Sequence, residues 1–350
     1  MRRTTHIITL RHIISVFTIS TLLLISVSAT AQVVDGWYIS GRAEEQLNVS
    51  NRHWNLSSLL DYGVDLNLWR GGQLNISAVS TYMQHEDEYL CDDPLVFSNI
   101  DAPSKFFRFS MLGLSQQIGS LNIFAGLRNS VTDFFADDEL AIFLSSMHGI
   151  QPVISENFDI ATYPTTSLCA QMKWDINEHL RITSAFYNSA STDELDRIFY
   201  YDGIANITAF HYHPSRRTLE IGAASGKDDI GSFGTAIYCY DIERIADKVT
   251  LIGEAGYFFG INKGNIKDTP DVCKFNVALG VTYTFNEKHA LSLMATAAAY
   301  DEGYNDKQLE FNYALTLGCC TLHPAFVLDE RKGDLIPICV LGLSVDLSSD

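Results

Sequence analysis

The chain has 350 residues, of which 47% are hydrophobic, and it carries 24 basic against 42 acidic residues for a formal net charge of −18. Such an excess of acidic residues excludes nucleic acid as a partner, because nucleic-acid phosphates are negatively charged and are bound by Lys and Arg side chains. No Pro-, Gly- or Ser-rich linker and no shift in composition divides the chain. We therefore expect one domain after the N-terminal segment.

The first 31 residues have the three parts of a secretory signal peptide. Arginines at positions 2, 3 and 11 precede an apolar run over 13–27, and Ala29-Thr30-Ala31 then gives a small-x-small cleavage pattern. A membrane-anchoring helix is the alternative, but the apolar run is short for a span of about 20 residues. The sequence thus predicts an exported protein that starts at Gln32, with 21 basic and 42 acidic residues remaining.

Beyond the signal, apolar and polar residues alternate along many short segments. Over 309–317 the odd positions are apolar and the even positions are mostly polar, and 273–286 and 60–68 show the same alternation. Because successive side chains of a strand point to opposite faces, each segment predicts a strand with one apolar and one polar face. Sixteen such strands are predicted, at 36–48, 58–70, 73–83, 105–116, 121–128, 166–174, 180–188, 204–213, 218–225, 232–241, 249–258, 272–286, 290–300, 307–317, 321–328 and 335–347.

The connections between these strands alternate between short turns and longer loops. With both ends of the chain placed in the periplasm, every periplasmic connection is short, and every outer connection is expected to be medium or long. This order is typical of a transmembrane antiparallel β-barrel, which has an even number of strands in bacteria. The fold class predicted for 32–350 is therefore all-β, a closed outer-membrane barrel of about sixteen strands.

A barrel of this size predicts a pore. Inside hydrocarbon every backbone polar group needs a partner, so a spanning sheet must close on itself and turn its apolar face to lipid. About sixteen strands leave a water-filled lumen, whereas about eight are filled by their own side chains. Six aromatic residues near strand ends are expected in the two interfacial girdles, namely Trp69, Trp174, Tyr257, Tyr283, Phe285 and Tyr300.

Seven scattered cysteines show neither metal-ligand spacing nor the density of a disulfide scaffold, and we expect them to be packing residues. They are Cys91, Cys169, Cys239, Cys273, Cys319, Cys320 and Cys339.

A block between the fifth and sixth strands resembles the carbohydrate-selective porins of the OprB type. It contains Gly126-Leu127-Arg128, Asp133-Phe134-Phe135-Ala136, a Phe-x-x-Ser element at 143–146 and Tyr163-Pro164. The resemblance implies a passive porin for carbohydrates in the outer membrane of a Gram-negative bacterium, with no cofactor. It also implies contact with outer-membrane lipid and with the barrel-assembly machinery. Family members usually end on an aromatic residue, whereas here Leu347 would have to take that place.

In such porins the third outer loop folds into the lumen, which implies a constriction formed by about 129–165 here. Within it Asp137, Asp138 and Glu139 precede a run over 140–147 that is expected to be a short helix, and these acids suit a helix N-terminus as well as a pore lining. Phe134, Phe135 and Phe143 could stack on sugar rings or could anchor the loop. Arg128 could bind sugar hydroxyls or could pair with acids of the loop, and Asp133 is a further candidate pore-lining residue.

Other kinds of chemistry have little support in the sequence. His211 and His213 share a strand face, but no Cys or carboxylate completes a metal site. His148 follows Ser145 and Ser146, without the glycines of a nucleophile elbow, so we expect no enzyme. The alternatives that stay open are a porin for general or other small solutes, and an exported β-rich binding or adhesion protein without a pore. The sequence leaves open whether the protein forms a homo-oligomer.

Overall fold

The computed structural model describes residues 34–85, 89–90, 97–135, 137–158, 160–188, 203–228, 233–261, 272–301, 305–331 and 333–349. The predicted signal peptide and Cys91 lie outside these residues. Sixteen strands form one closed antiparallel barrel in which each strand pairs with its neighbours in sequence and β1 pairs with β16. No helix among the described residues is long and apolar enough to cross a membrane.

The strands lie where the alternation of the sequence predicts them. Their bounds are β1 Val34–Asn48, β2 Trp54–Trp69, β3 Gly72–Met83, β4 Lys105–Ile118, β5 Leu121–Arg128, β6 Ser167–Asp175, β7 Leu180–Tyr187, β8 Gly203–Tyr212, β9 Arg217–Asp228, β10 Phe233–Ala246, β11 Val249–Ile261, β12 Cys273–Asn286, β13 His289–Tyr300, β14 Asn305–Leu317, β15 Cys320–Arg331 and β16 Asp334–Ser348. Most ends differ from the prediction by no more than three residues, although β10 runs on to Ala246 rather than ending at Asp241.

The two rims differ in the length of their connections. All seven connections on one rim are short, at 70–71, 119–120, 176–179, 213–216, 247–248, 287–288 and 318–319. The opposite rim carries the long connections 84–104 and 129–166. The expectation that every connection on this rim is medium or long is wrong, because β15 and β16 are joined by residues 332–333 alone. A two-residue hairpin is the commonest antiparallel connection on either rim.

The outer face of the barrel is apolar and the inner face is mostly polar. On β14, Leu309 and Phe311 are exposed outward, whereas Gln308, Glu310 and Asn312 are buried inside the barrel. This is the separation that lipid outside and water or protein inside require. On β12 the prediction fails at Cys273, which was expected on the outer face. It is fully buried, and the strand register shifts between Cys273 and Phe275.

The predicted aromatic girdles are present with one exception. The side chains of Trp69, Trp174, Tyr257, Tyr283 and Phe285 are exposed on the barrel surface. Tyr300 is 5% exposed and packs in the interior cluster, so its placement in a girdle is wrong. Tyr300 is the last residue of β13 and faces the inside of the barrel, where the interior cluster covers it instead of lipid. Aromatic residues at strand ends therefore do not by themselves distinguish the two faces.

Three helices of four residues each lie in the connection 129–166. They are α1 Val131–Phe134, α2 Asp138–Ala141 and α3 Pro152–Ser155. The expected helix over 140–147 is wrong in extent, since it ends at Ala141. Beyond that point Ser145 forms an isolated bridge with Ser98, so the backbone is bonded to another loop instead of to its own helical turn.

Candidate functional site in the barrel lumen

The connection 129–166, called the constriction loop below, packs inside the barrel against one side of the wall. Phe134, Phe135, Met147, Val153 and Ile154 form a buried cluster with inward-facing residues of β6 to β13. Seven alanines make this part of the inner wall apolar, at positions 185, 205, 209, 224, 236, 278 and 298, and each is 1% exposed or less. Small apolar residues let the loop approach the wall closely and bury its large side chains.

A buried ion pair fixes the point where the constriction loop leaves β5. The Arg128 guanidinium donates two hydrogen bonds to the Asp133 carboxylate, one of them 2.6 Å long. Lys173 Nζ lies 2.5 Å from the same carboxylate, and Gln171 Nε2 donates to it at 2.6 Å. Burial alone would raise the pKa of Asp133, but Arg128 and Lys173 outweigh it and hold this pKa below its ordinary value. Asp133 therefore stays ionised. The predicted site residues Arg128 and Asp133 thus form an ion pair that fixes the start of the constriction loop to the end of β5.

The three predicted phenylalanines anchor the loop. Phe134 and Phe143 are fully buried, so neither offers a ring face to a solute. Phe135 is 2% exposed, touches the edge of the lumen cavity and packs on the Tyr238 ring at 5.0 Å between centroids. The sequence left two roles open for these residues, stacking on sugar rings and anchoring the loop, and their burial matches the anchoring role.

The predicted acids lie at the tip of the loop around α2. Asp137 caps α2 by accepting a hydrogen bond from the Glu139 backbone N–H at 2.9 Å. Glu139 faces Arg244 of β10, with 3.4 Å between the charged groups, and Asp137 and Asp138 border the lumen cavity. Burial raises the pKa of Asp137 and of Glu139 above the ordinary values. Asp137 thus combines a capping role with a place beside the lumen cavity, Asp138 shares that place, and Glu139 pairs with Arg244 of the wall.

Glu310 on β14 holds the middle of the constriction loop and was not predicted from the sequence. Its carboxylate is fully buried and accepts hydrogen bonds from the backbone N–H groups of Leu144 at 2.9 Å and Ser145 at 3.2 Å. Next to it, Asn312 Nδ2 donates to the Ile142 carbonyl oxygen at 2.6 Å. These bonds satisfy loop groups that would otherwise be buried without partners.

A second loop inside the barrel was also missed; it consists of the described residues 84–85, 89–90 and 97–104 of the connection between β3 and β4. Its Asn99 N–H donates to the Leu144 carbonyl at 2.9 Å, and the Ser146 N–H donates to the Phe97 carbonyl at 3.1 Å, so the two loops pair through their backbones. Two residues of β1 bind this second loop. The loop residue Ser98 donates from Oγ to Glu44 at 2.7 Å, and Gln46 Nε2 donates to the loop residue Asp101 at 3.0 Å.

A cavity of about 600 Å³ remains between the two loops and the opposite side of the wall. Its wall side is formed by inward-facing residues of β1, β2, β15 and β16, among them Arg42, Asp61, His323 and Asp346. The charged carboxyl groups on its border are Asp61, Asp101, Asp137, Asp138 and Asp346, against the single guanidinium of Arg42. Burial, reinforced by the neighbouring Glu44 carboxylate, raises the pKa of Asp101 to about 6. Acidic groups therefore outnumber basic groups on the border of the cavity.

The histidines considered for catalysis or metal binding have structural partners. His148 is buried with its Nε2 atom 3.5 Å from Thr296 Oγ1, and burial lowers its pKa to about 3, so it is neutral at ordinary pH. On the wall, His211 Nδ1 lies 2.8 Å from Glu220, which also accepts hydrogen bonds from Tyr238 and Tyr240. Among the described residues no three His, Cys, Asp or Glu side chains are grouped as metal ligands.

Comparisons with known proteins identify the class of fold. No protein-family model matches the sequence, and no curated protein matches it either. Solved structures of outer-membrane channels do match across most of the chain. The high-pH structure of Pseudomonas putida OprB matches with a TM-score of 0.70 and 11% identity, over 91% of this chain and 95% of that chain.

Two other matches come from different bacteria. A loop-deleted form of OmpT, an outer membrane protein of Vibrio cholerae, gives a TM-score of 0.62 at 9% identity, covering 90% of this chain and 100% of that chain. The outer membrane channel DcaP of Acinetobacter baumannii gives 0.57 at 12% identity, covering 92% and 99%. The protein thus has the sixteen-stranded barrel fold of outer-membrane porins.

Proposed function

We propose that the protein is a passive porin that lets small polar solutes, above all carbohydrates, diffuse across the outer membrane. The observation that carries this proposal is the constriction loop inside the barrel. It fills the side of the lumen along β6 to β13 and leaves a cavity bordered by several carboxyl groups along β1, β2, β15 and β16. A narrowed aqueous passage needs no covalent chemistry, because solute crosses down its gradient and binds only weakly on the way.

Carbohydrates are the favoured solute class for two reasons. The likeness to Pseudomonas putida OprB extends over most of both chains, and the sequence block around the constriction loop has the elements of that type. The cavity also offers carboxylates, hydroxyls and one guanidinium, the groups that hydrogen-bond sugar hydroxyls.

A porin for small cations is the second candidate, and one observation favours it. Carboxyl groups outnumber guanidinium and ammonium groups on the cavity border. Acids in a confined aqueous passage concentrate cations and repel anions. Neutral sugars and small cations are both compatible with this lining, whereas anionic solutes are not.

The same proposal sets the location and the partners. Residues 1–31 act as a signal peptide, the barrel-assembly machinery inserts the mature chain, and the apolar outer face contacts outer-membrane lipid. Leu347, exposed near the end of β16, takes the place of the usual terminal aromatic residue. An OmpT structure of Vibrio cholerae is described as a trimer form, and we propose that this chain also forms a homo-oligomer.

Liposome swelling tests the proposal. Vesicles containing the refolded protein are diluted into isotonic solutions of mono- and disaccharides, neutral amino acids, and potassium and organic-anion salts. Sugars are expected to enter fastest for their size. Equal rates for sugars and amino acids of one size would favour a general porin, and preferential entry of cations would favour the second candidate. No swelling from protein that is folded by its heat-modifiable migration on gels would contradict the pore.

A further inference from the structure

Two adjacent cysteines lie at the turn between β14 and β15 on the rim of short connections, Cys319 within the turn and Cys320 as the first residue of β15. The strand pairing closes with Leu317 opposite Cys320, so Gly318 and Cys319 are the two turn residues. Gly318 has a φ of +65°, a conformation that favours glycine. The Sγ atoms of Cys319 and Cys320 lie 3.9 Å apart, so the turn holds two sulfur atoms near van der Waals contact.

Both thiols are accessible from outside the barrel. Cys319 is exposed and Cys320 is half-buried, and neither borders the lumen cavity. The short turns of an outer-membrane barrel face the periplasm, where disulfides form and persist. The expectation that all cysteines are packing residues therefore does not suit this pair, although it suits the buried Cys169 and Cys273.

We propose that Cys319 and Cys320 form a thiol–disulfide exchange site for disulfides of periplasmic proteins or small molecules. The more exposed Cys319 thiolate attacks one sulfur of the incoming disulfide, forms a mixed disulfide and releases the other sulfur as a thiolate. Cys320 then attacks Cys319 Sγ and releases the second sulfur. Two thiols of the turn become one vicinal disulfide, and the two electrons and two protons pass to the incoming disulfide, which leaves as two thiols.

The geometry gives the two cysteines these separate roles. An accessible thiol with a resolving thiol beside it is the arrangement found in redox-sensitive sites. Resolution within one turn is intramolecular, so it outpaces attack by a free thiol at ordinary concentrations. Cys339 is a natural comparison, since it is exposed on the outer face of β16 and paired in register with Leu47 and Phe326. The exchange site is independent of which solute crosses the pore.

The experiment uses the mature protein refolded in detergent, with Cys320→Ser, Cys319→Ser and Cys339→Ser variants. Each is reduced, exposed to oxidised glutathione, quenched with an alkylating reagent and mapped by peptide mass spectrometry. Wild type and Cys339→Ser are expected to give a peptide that has lost two hydrogens and carries no glutathione. Cys320→Ser is expected to keep glutathione on Cys319, at a level about tenfold or more above wild type.

A second probe uses the reduced protein. Phenylarsine oxide, which binds two neighbouring thiols, is expected to protect both cysteines of wild type from alkylation, but not the remaining cysteine of either single turn variant. Stable glutathione on Cys319 of wild type at the level of Cys320→Ser would overturn the proposal, as would a lack of protection by the arsenical. The heat-modifiable band on gels verifies that each variant is folded. Swelling of the same preparations tests the pore separately, so failure of one proposal is distinguishable from failure of the other.

Discussion

The barrel wall is held mainly by contacts between strands that are neighbours in sequence, whereas the constriction loop is held by residues that are distant in sequence. Every strand from β1 to β15 pairs with the next along the chain, only the closing pair of β1 with β16 is distant in sequence, and one rim needs only turns of two to four residues. The loop is held by side chains far away in sequence, since Asn312 lies 170 positions from its partner Ile142. The wall thus carries its own backbone hydrogen bonding, and the loop is a separable insert. Selectivity is expected to depend on the loop and assembly on the wall.

Deleting residues 136 to 148 should separate the two regions most strongly. The deletion removes the acids of α2 and the segment held by Glu310, but no residue of a strand. Single-channel conductance should rise on the order of twofold or more and sugar discrimination should weaken, because the passage widens. The heat-modifiable band should persist, since a loop can be shortened without loss of strand pairing. Wild-type conductance in this variant would mean that the loop does not limit the passage.

Glu310→Ala should loosen the loop without removing it. The change leaves the Leu144 and Ser145 N–H groups buried without their acceptor, at a cost of about 1–3 kcal/mol for each group. We expect noisier channel currents and faster proteolysis within the loop. The matched control is Glu330→Ala, which removes an exposed carboxylate 3.0 Å from Lys307 at the rim. Equal behaviour of the two variants would show that Glu310 does not anchor the loop.

Neutralising Asp137, Asp138 and Glu139 together to Asn, Asn and Gln should change selectivity with little effect on conductance. The three acids contribute negative charge at the tip of the loop, and two of them border the cavity. The ratio of potassium to chloride permeability, measured from reversal potentials, should fall about two- to threefold. The control is the Glu178→Gln variant, in which a highly exposed acid of the β6–β7 turn is neutralised. An unchanged ratio in the triple variant would remove these acids from the pore lining.

The pH dependence should show a smaller effect with a defined direction. Because burial raises the pKa of Asp101 to about 6, and raises those of Asp137 and Glu139, these acids take up protons as pH falls while exposed acids are still ionised. Cation preference should therefore begin to decline between about pH 7 and 5, above the ordinary carboxyl pKa of about 4. The raised pKa values of Asp137 and Glu139 also mean that the constriction loop is bound more tightly at pH 5 than at pH 8, and the raised pKa of Asp101 has the same effect on the second loop. A decline confined to pH values below 4 would contradict this assignment.

The barrel wall could be predicted from the sequence because the patterns that define it lie within single strands and turns. Alternation within strands such as β12 and β14, together with the short turns, defines the number and order of the strands and which residues face outward. The predicted outward facing fails at Cys273, where the strand register shifts, and at Tyr300, which the loop covers. The pairing of Arg128 with an acid was one of two roles considered, and Asp133 is its partner.

The docking of the two loops could not be predicted in the same way, because their anchors lie on distant strands. Glu44 and Glu310 look like ordinary inward polar residues of a lumen wall until the loops are in place. One signal was nevertheless present in the sequence. Inward positions of β8 carry Ala205, Ile207 and Ala209, so this stretch of the inner wall is apolar, and an apolar inner face needs a cover.

Single-channel recording of the wild-type protein shows directly whether solute passes beside the constriction loop through an aqueous passage. The protein is inserted into a planar bilayer in potassium chloride, and neutral sugars of increasing size are then added to one side. We expect discrete, cation-preferring channels whose current is lowered by small sugars that enter the passage and less affected by sugars too large to enter. Folded, heat-modifiable protein that forms no channels, or channels that conduct without any effect of sugar size, would contradict it.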